Sequence, residues 1–577
     1  MEEVKTDEPA PEFLRECYVI PRTAASAFQE AKEILAQRLS LDESIRTESV
    51  SIDQVASLID SDVPEKPLII LGKVGHGKTT FLRYLRKVQA KDTFENYIQI
   101  DIDFLDRPDS PEHVGKYIYD QIEKQLLNEY QMDIIEDRLV RGFLHNDIER
   151  FKRSYEGKQF LEDSHEYKQA EKNFVQGILN DRHQYLGRVF AHLKRGRIKN
   201  NKGHSVVLFL DNLDRRNDRI QEEAFLRASA MARDWSTLVF VCLRPDTFYR
   251  SKHFGVLDSV APRVVTVTSP KTSLLVSKRM QYARNVALGI SDTTHSRKGV
   301  AFGKNISIEL PSIAPFLDAV GKSFEVNSEL SHLFDAVSNG NARDLLSYVH
   351  RVITSAHLDT KKILEKVEAG GYLMPVHEAL RAMLFGDSYH YDPEQSVFVN
   401  LFDILRADPI EHFTRIILLR HLVQVSPGHP SYGFLSVSEV ESYMCQMGFS
   451  DEHVQNTIRF LFDKGCIEPK FPQENWSVEI NSIRITDRGS YTVMGLLYQF
   501  NYFDAVVVDT PIIISEYRQR IHDDFWIKDR LPRCEVFLDY LDECCKSLCD
   551  VSSVAFWKEV GKCIRKQIDE IHNSLRG

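Results

Sequence analysis

The sequence predicts an α/β fold, a parallel sheet with flanking helices, interrupted by a helical insertion and followed by smaller, mostly helical domains. Three observations predict it. An apolar run, Leu68-Ile69-Ile70-Leu71, feeds a glycine-rich loop, Gly72-Lys73-Val74-Gly75-His76-Gly77-Lys78-Thr79-Thr80. A second apolar run, Val206-Val207-Leu208-Phe209-Leu210, ends in Asp211. Apolar residues between and after these runs recur at helical spacing, so strands and helices arrive in the alternation that a parallel sheet requires.

The loop meets the pattern G-x-x-x-x-G-K-[ST] through Gly72, Gly77, Lys78 and Thr79. Glycines at 72, 75 and 77 let backbone N–H groups turn inward around a triphosphate, where a side chain would block the approach. The helix entered at Thr79 and Thr80 adds its positive end and unpaired donors. Lys78 is placed to reach the β- and γ-phosphates, and the Thr79 hydroxyl to take one position on Mg²⁺. Phe81, Leu82, Leu85 and Val88 continue at helical spacing, which completes strand, loop and helix in order. The fold class is therefore an α/β P-loop NTPase, with ATP and Mg²⁺ as its expected cofactors.

Length and composition set the frame. A chain of 577 residues exceeds one core and predicts about three or four domains. With 43% apolar and 27% charged residues, neither wholesale disorder nor a membrane protein is indicated. The most apolar late stretch, Ala505 to Ile514, is broken by Asp509 and Pro511, so no transmembrane helix and no membrane partner are expected. Residues 1–17 read as an acidic tail without the basic and apolar regions of a signal peptide, and the expected location is cytoplasmic. Nine cysteines form no CxxC pair and read as buried or free thiols rather than a metal site. A net charge of −11 excludes a surface that coats nucleic acid throughout and leaves a local basic patch open.

Taken in order, Tyr18-Val19-Ile20-Pro21-Arg22 is a short extended segment and Ala24 to Leu39 a helix. Ile20 and Pro21 are candidates for contact with the adenine base, or are simply packed. Tyr97 to Ile102 is a second strand, and Ser110-Pro111 caps a helix through Leu127. Residues from about 128 to 202 are charged and helical in pattern, and read as an insertion whose basic end (Lys194, Arg195, Arg197, Lys199, Lys202) forms a loop. The run ending in Asp211 supplies a carboxylate at the tip of a buried strand, placed to hold Mg²⁺ through water. Asn212 cannot take a proton, so Asp214 is the better candidate for the base. Ile220 to Arg233 is a helix and Leu238 to Leu243 another buried strand. Arg244 at its tip either senses the γ-phosphate or belongs to an ordinary turn before Pro245. Pro262 to Val267 is the last strand, with Arg263 at its entrance. Asn339-Gly340-Asn341-Ala342-Arg343-Asp344 opens a helix of a small lid domain.

This order of parts resembles the AAA+ and STAND branches of P-loop ATPases, in the initiator-like arrangement of origin-recognition ATPases with a winged helix behind the lid. The resemblance runs from about Tyr18 to Leu497, apart from the insertion. Gly77-Lys78-Thr79-Thr80-Phe81-Leu82 and Arg244-Pro245 are similar to STAND text, and Asp211-Asn212-Leu213-Asp214-Arg215 resembles the D-x-x-D-R of STAND and KAP ATPases. That text departs from the usual AAA+ Asp-Glu and puts the identity of the base in question. Gly340-Asn341-Ala342-Arg343 is similar to the sensor 2 text of origin-recognition ATPases, which implies Arg343 as a γ-phosphate contact. Arg263 falls where that family carries its arginine finger, which acts on a neighbour's nucleotide and implies homo-oligomers.

The expected division is a P-loop domain at 18–285, a helical lid at 286–375, a winged-helix domain with preceding helices at 376–500 and a C-terminal helical region at 501–577. In the third of these, helical patterns at Ile416–Val423, Ser436–Met447 and Ser450–Asp463 precede a wing formed by Gly465–Glu468 and Ile483–Thr486. The third helix begins Ser450-Asp451-Glu452, and phosphate would repel that start. DNA stays open as a partner only through Arg459, Lys464, Lys470, Arg484 and Arg488. Trp526 and Phe537 are expected core anchors of the C-terminal region, in which no nuclease, protease or other effector motif is visible. The leading expectation is an ATP-hydrolysing switch that oligomerises and controls a separate effector protein, in the manner of some bacterial anti-phage defence and mobile-element systems. An initiator-like DNA-remodelling ATPase and a non-catalytic, nucleotide-stabilised scaffold are the alternatives.

Overall fold

A computed structural model describes residues 11–19, 48–49, 66–95, 97–105, 110–161, 164–200, 205–213, 216, 218–244, 248, 263–289, 300–302, 306–308, 310–358, 363, 365–366, 372–425, 433–470, 475–477, 480–522 and 526–576. The described residues fall into two compact units that divide after residue 268. Helix Thr272–Ala287 thus lies with the second unit.

The first unit is built on a sheet of six strands, β1 (Glu48–Ser49), β2 (Leu68–Leu71), β3 (Tyr97–Asp103), β4 (Ser205–Asp211), β5 (Leu238–Leu243) and β6 (Arg263–Thr266), in the order β1-β6-β2-β5-β4-β3. Every pairing is parallel. The burial pattern explains the order. β2 and β5 are buried at every residue and β4 at all but its last, as central parallel strands covered on both faces must be. β3 alternates, with Asp101 and Asp103 exposed, and takes the edge.

One face is covered by helix Lys78–Tyr84, continued by a wider turn at Leu85–Gln89. Its Phe81, Leu82 and Leu85 pack into a cluster with Leu68, Ile70, Val207, Phe209 and Phe240. Phe209 and Phe240 stack at 5.0 Å, and Arg86 lies over Phe209 at 4.3 Å while pairing with Asp101 at 2.6 and 2.9 Å. Helix Pro11–Cys17 belongs to this unit with Leu14 and Cys17 buried, so the tail expected through residue 17 ends earlier. Ser110 makes no side-chain cap: Pro111–His113 is a 3₁₀ turn and the helix runs Val114–Asn128. The insertion is helical at Asp137–Phe143, His145–Arg153, His165–Asn180 and Arg182–Asn200. Lys194, Arg195, Arg197 and Lys199 are therefore helical rather than in a loop, because Leu186, Val189 and Phe190 bury the face that starts the same helix.

The second unit begins with helices Thr272–Ala287, Leu310–Val326, Ser328–Ser338, Ala342–Thr354 and Val376–Phe385. Next come helices Thr414–Val425, Val437–Gln446 and Asp451–Asp463 and a small antiparallel sheet of β7 (Leu435–Ser436), β8 (Ile467–Pro469) and β9 (Ser482–Ile485), in the order β8-β9-β7. The expected capping box closes, with Ser436 and Glu439 exchanging side chain-to-backbone bonds. Asn339 and Arg488 clasp the two layers: Arg488 donates to Val337 O, Lys464 O and Tyr348 Oη, and its backbone N–H reaches Asn339 Oδ1 at 3.0 Å. Helices Phe500–Val506, Ile527–Cys545 and Val551–Arg576 close around Phe402, whose ring meets Phe503, Phe537 and Trp557 edge-on. Phe537 is the core anchor expected. Trp526 is not, being 65% exposed at the cap of its helix, where the side chain falls outside the buried stripe; Trp557, 1% exposed, fills that role.

Candidate functional site

The glycine-rich loop leaves the carboxyl end of β2, between the ends of β5 and β6, in the crevice where parallel α/β sheets bind ligands. Both neighbours pin it. Gly72 N–H donates to Leu243 O at 3.3 Å, and Val267 N–H donates to Leu71 O at 2.7 Å. A Cβ on Gly72 would lie 2.9 Å from Val267 O, so any side chain there would force the backbone to shift. Gly75 and Gly77 adopt left-handed φ of 78° and 87°, which turns the backbone into the helix at Lys78. That helix starts without a side-chain cap, as an N-terminus that serves a bound anion would.

Lys78 is buried, and its Nζ donates to Gly72 O at 2.7 Å and Lys73 O at 3.2 Å, holding the ammonium over the loop. Thr79 Oγ1 donates to Asp211 Oδ2 at 2.8 Å, across 132 residues of sequence. Hydroxyl and carboxylate therefore converge on one point, and a hard oxygen pair of this kind fits Mg²⁺. Thr80 is half-buried in the same first turn. His76 is held against the backbone of Val267, and burial, with Lys73 and Lys78 adjacent, pushes its imidazole down to about 3.

Asp211 is reached by register. Phe209 and Asp211 share a side of β4, and Phe209 faces the helix that leaves the loop, so Asp211 at the tip faces the first turn of that helix. The turn after it is left-handed at Asn212 (φ 58°), and Asn212 Nδ2 then donates to Asp103 Oδ1 at 2.8 Å. Asp103 is the register partner of Asp211 on β3. The sequence pattern ends that strand at Ile102 and gives Asp103 no role. The alternation Gln99, Asp101, Asp103 was the signal available, since a period of two places a carboxylate at this strand tip as well.

Arg244 follows β5 directly, next to the strand end that binds Gly72. Arg263 opens β6 and pairs with Leu68, at the amino end of the sheet, roughly 10 Å along the strands from the loop by strand rise. Ile20, Pro21 and Asp214 lie outside the described residues. Arg343 is exposed in the first turn of its helix in the second unit, its N–H capped by Asn341 Oδ1 at 3.0 Å. Around the small sheet, Arg484 pairs with Glu468 at 2.6 Å and lies over Phe434. Arg488 is spent on the clasp, and Lys464 donates to Pro393 O at 2.7 Å.

Among the described residues no helix is long and apolar enough to cross a membrane, and no group of His, Cys, Asp and Glu is placed to hold a metal ion by itself. No protein-family model matches the chain. No curated protein matches it either. Among solved structures it is similar to the crystal structure of Cdc6p from Pyrobaculum aerophilum, at 12% identity and a TM-score of 0.27, over 83% of this chain and 94% of that one. So loose a superposition transfers no residue roles, and the site rests on its own geometry.

Proposed function

We propose that the chain is an ATP-binding and hydrolysing switch of the AAA+ and STAND kind. The observation that carries the reading is the bond from Thr79 to Asp211, which joins the end of a glycine-rich loop to the tip of a buried strand at the carboxyl edge of a parallel sheet. Gly72, Gly75, Gly77, Lys78, Thr79 and Thr80 cradle the triphosphate, with Ile20 and Pro21 toward the base. Thr79 and Asp211 hold Mg²⁺, which when bound neutralises phosphate charge and orients the phosphates. Arg244 and Arg343 contact the γ-phosphate. Arg263, at the amino end of the sheet, suits a residue that serves a neighbour's nucleotide in a homo-oligomer.

In this reading residues 286–375 form the lid, and the helices and three strands between 414 and 485 form a winged helix that moves with nucleotide state and acts on a separate effector protein, as in a defence or mobile-element system. The initiator-like DNA reading is weakened by one observation: Lys464, Arg484 and Arg488 are engaged with protein partners. The test is nucleotide binding and phosphate release by wild type and Lys78→Ala, with molar mass measured by light scattering with and without a non-hydrolysable ATP analogue. Unchanged binding and turnover in Lys78→Ala refutes the assignment of the loop. Bound nucleotide that is never hydrolysed leaves the scaffold reading instead.

A further inference from the structure

We infer that Asp103, at the tip of the edge strand, is the carboxylate that holds and deprotonates the attacking water. The inference rests on the ATPase reading above. Asp211 is the poorer base, because it is the proposed Mg²⁺ holder and both its oxygens already accept a hydrogen bond: Oδ1 from Asn212 N–H at 2.8 Å and Oδ2 from Thr79 Oγ1 at 2.8 Å. Asn212 has no proton-accepting carboxylate. Asp103 is the next group along the rim. As register partners on neighbouring parallel strands, Asp103 and Asp211 stand about 4.8 Å apart along the sheet, with side chains on the same face.

The Asp103 carboxylate is fixed on one side only. Oδ1 accepts from Leu105 N–H at 2.9 Å and from Asn212 Nδ2 at 2.8 Å, and among the described residues Oδ2 meets no protein donor. The left-handed turn at Asn212 makes this possible, since it carries the amide across to the neighbouring strand. An oxygen anchored through its twin and open at the crevice is what a water-orienting group needs. In the step, the water oxygen bonds to the γ-phosphorus. The bond from that phosphorus to the β–γ bridging oxygen breaks, with its electron pair leaving on ADP. The water proton passes to Asp103 Oδ2 and from there to solvent.

The test uses the full chain with Asp103→Asn, which keeps the anchoring oxygen and removes the base, and Asp103→Ala as a second variant. Nucleotide affinity is read with a fluorescent ATP analogue, turnover by single-turnover phosphate release, and both across a Mg²⁺ titration. Expected are a fall in turnover of about 10²–10⁴-fold in both variants, affinity within about threefold of wild type, and an unmoved Mg²⁺ midpoint. Retained turnover in Asp103→Asn overturns the inference and leaves the ATPase reading intact. Recovery at high Mg²⁺ overturns it in favour of a metal-binding role, and a larger loss in Asp214→Asn than in Asp103→Asn overturns it in favour of Asp214. A wild type that binds but never hydrolyses ATP removes the ATPase reading and this inference with it.

Discussion

His76 reports on how tightly the loop is packed against β6. Burial, with Lys73 and Lys78 beside it, lowers its imidazole from the usual 6.5 to about 3, so the native state keeps it neutral at every pH where the protein is handled. The unfolded chain protonates it below about 6.5. Between those two values the unfolded state binds more protons, and stability falls as pH falls through the window. From pH 7 to pH 5 one such group costs about 1–2 kcal/mol, the lower figure allowing for its partial exposure. Other histidines shift in the same direction, among them His357, His412, His421 and His453, so the measurement must be a difference. Urea unfolding of wild type and His76→Gln at pH 7 and pH 5 isolates the one group, since glutamine keeps a neutral donor for Val267. The variant should lose about 1–2 kcal/mol less than wild type over that interval. Equal losses would mean that the ring is solvated and the loop open at this point.

Gly77→Ala meets only an ordinary contact with Thr80 Cβ at 3.9 Å but a φ of 87°, and should cost about 1–2 kcal/mol, read as a melting temperature several degrees lower together with weaker nucleotide binding. Gly72→Ala pushes a Cβ against Val267 O, a backbone atom of a residue whose own N–H is bonded to Leu71 O, and should cost about 1–3 kcal/mol by the same measurement. Thr79→Ala removes the hydroxyl that meets Asp211, so turnover should fall by about 10- to 100-fold and the Mg²⁺ requirement should rise, as titration of phosphate release would reveal. Arg488→Ala leaves Val337 O and Lys464 O without their donor and should lower the urea midpoint of the second unit by the equivalent of about 2–3 kcal/mol, while nucleotide binding to the first unit persists.

The α/β class, the loop and the strand ending in Asp211 were legible in the chain because each is a local pattern: four apolar residues before a loop with three glycines, Lys-Thr after it, and an unbroken buried run. The capping box at Ser436 was legible for the same reason, as its partners sit within one helical turn. Strand order was not legible, nor was the meeting of Thr79 with Asp211, because a hydrogen bond across 132 residues depends on which strands pair and in what register. Asp103 makes the point most directly. As the last residue of an alternating strand it looks like any solvated carboxylate, and it gains a place beside Asp211 only when β3 pairs with β4 and Asn212 turns left-handed. Trp526 failed in the opposite sense, since hydrophobicity says that a side chain gains by burial and cannot say which helix face the rest of the chain will cover. Residue types and their spacing determined what chemistry this protein has available; the pairing of distant strands, fixed by burial on both faces of the sheet, decided which groups stand together to use it.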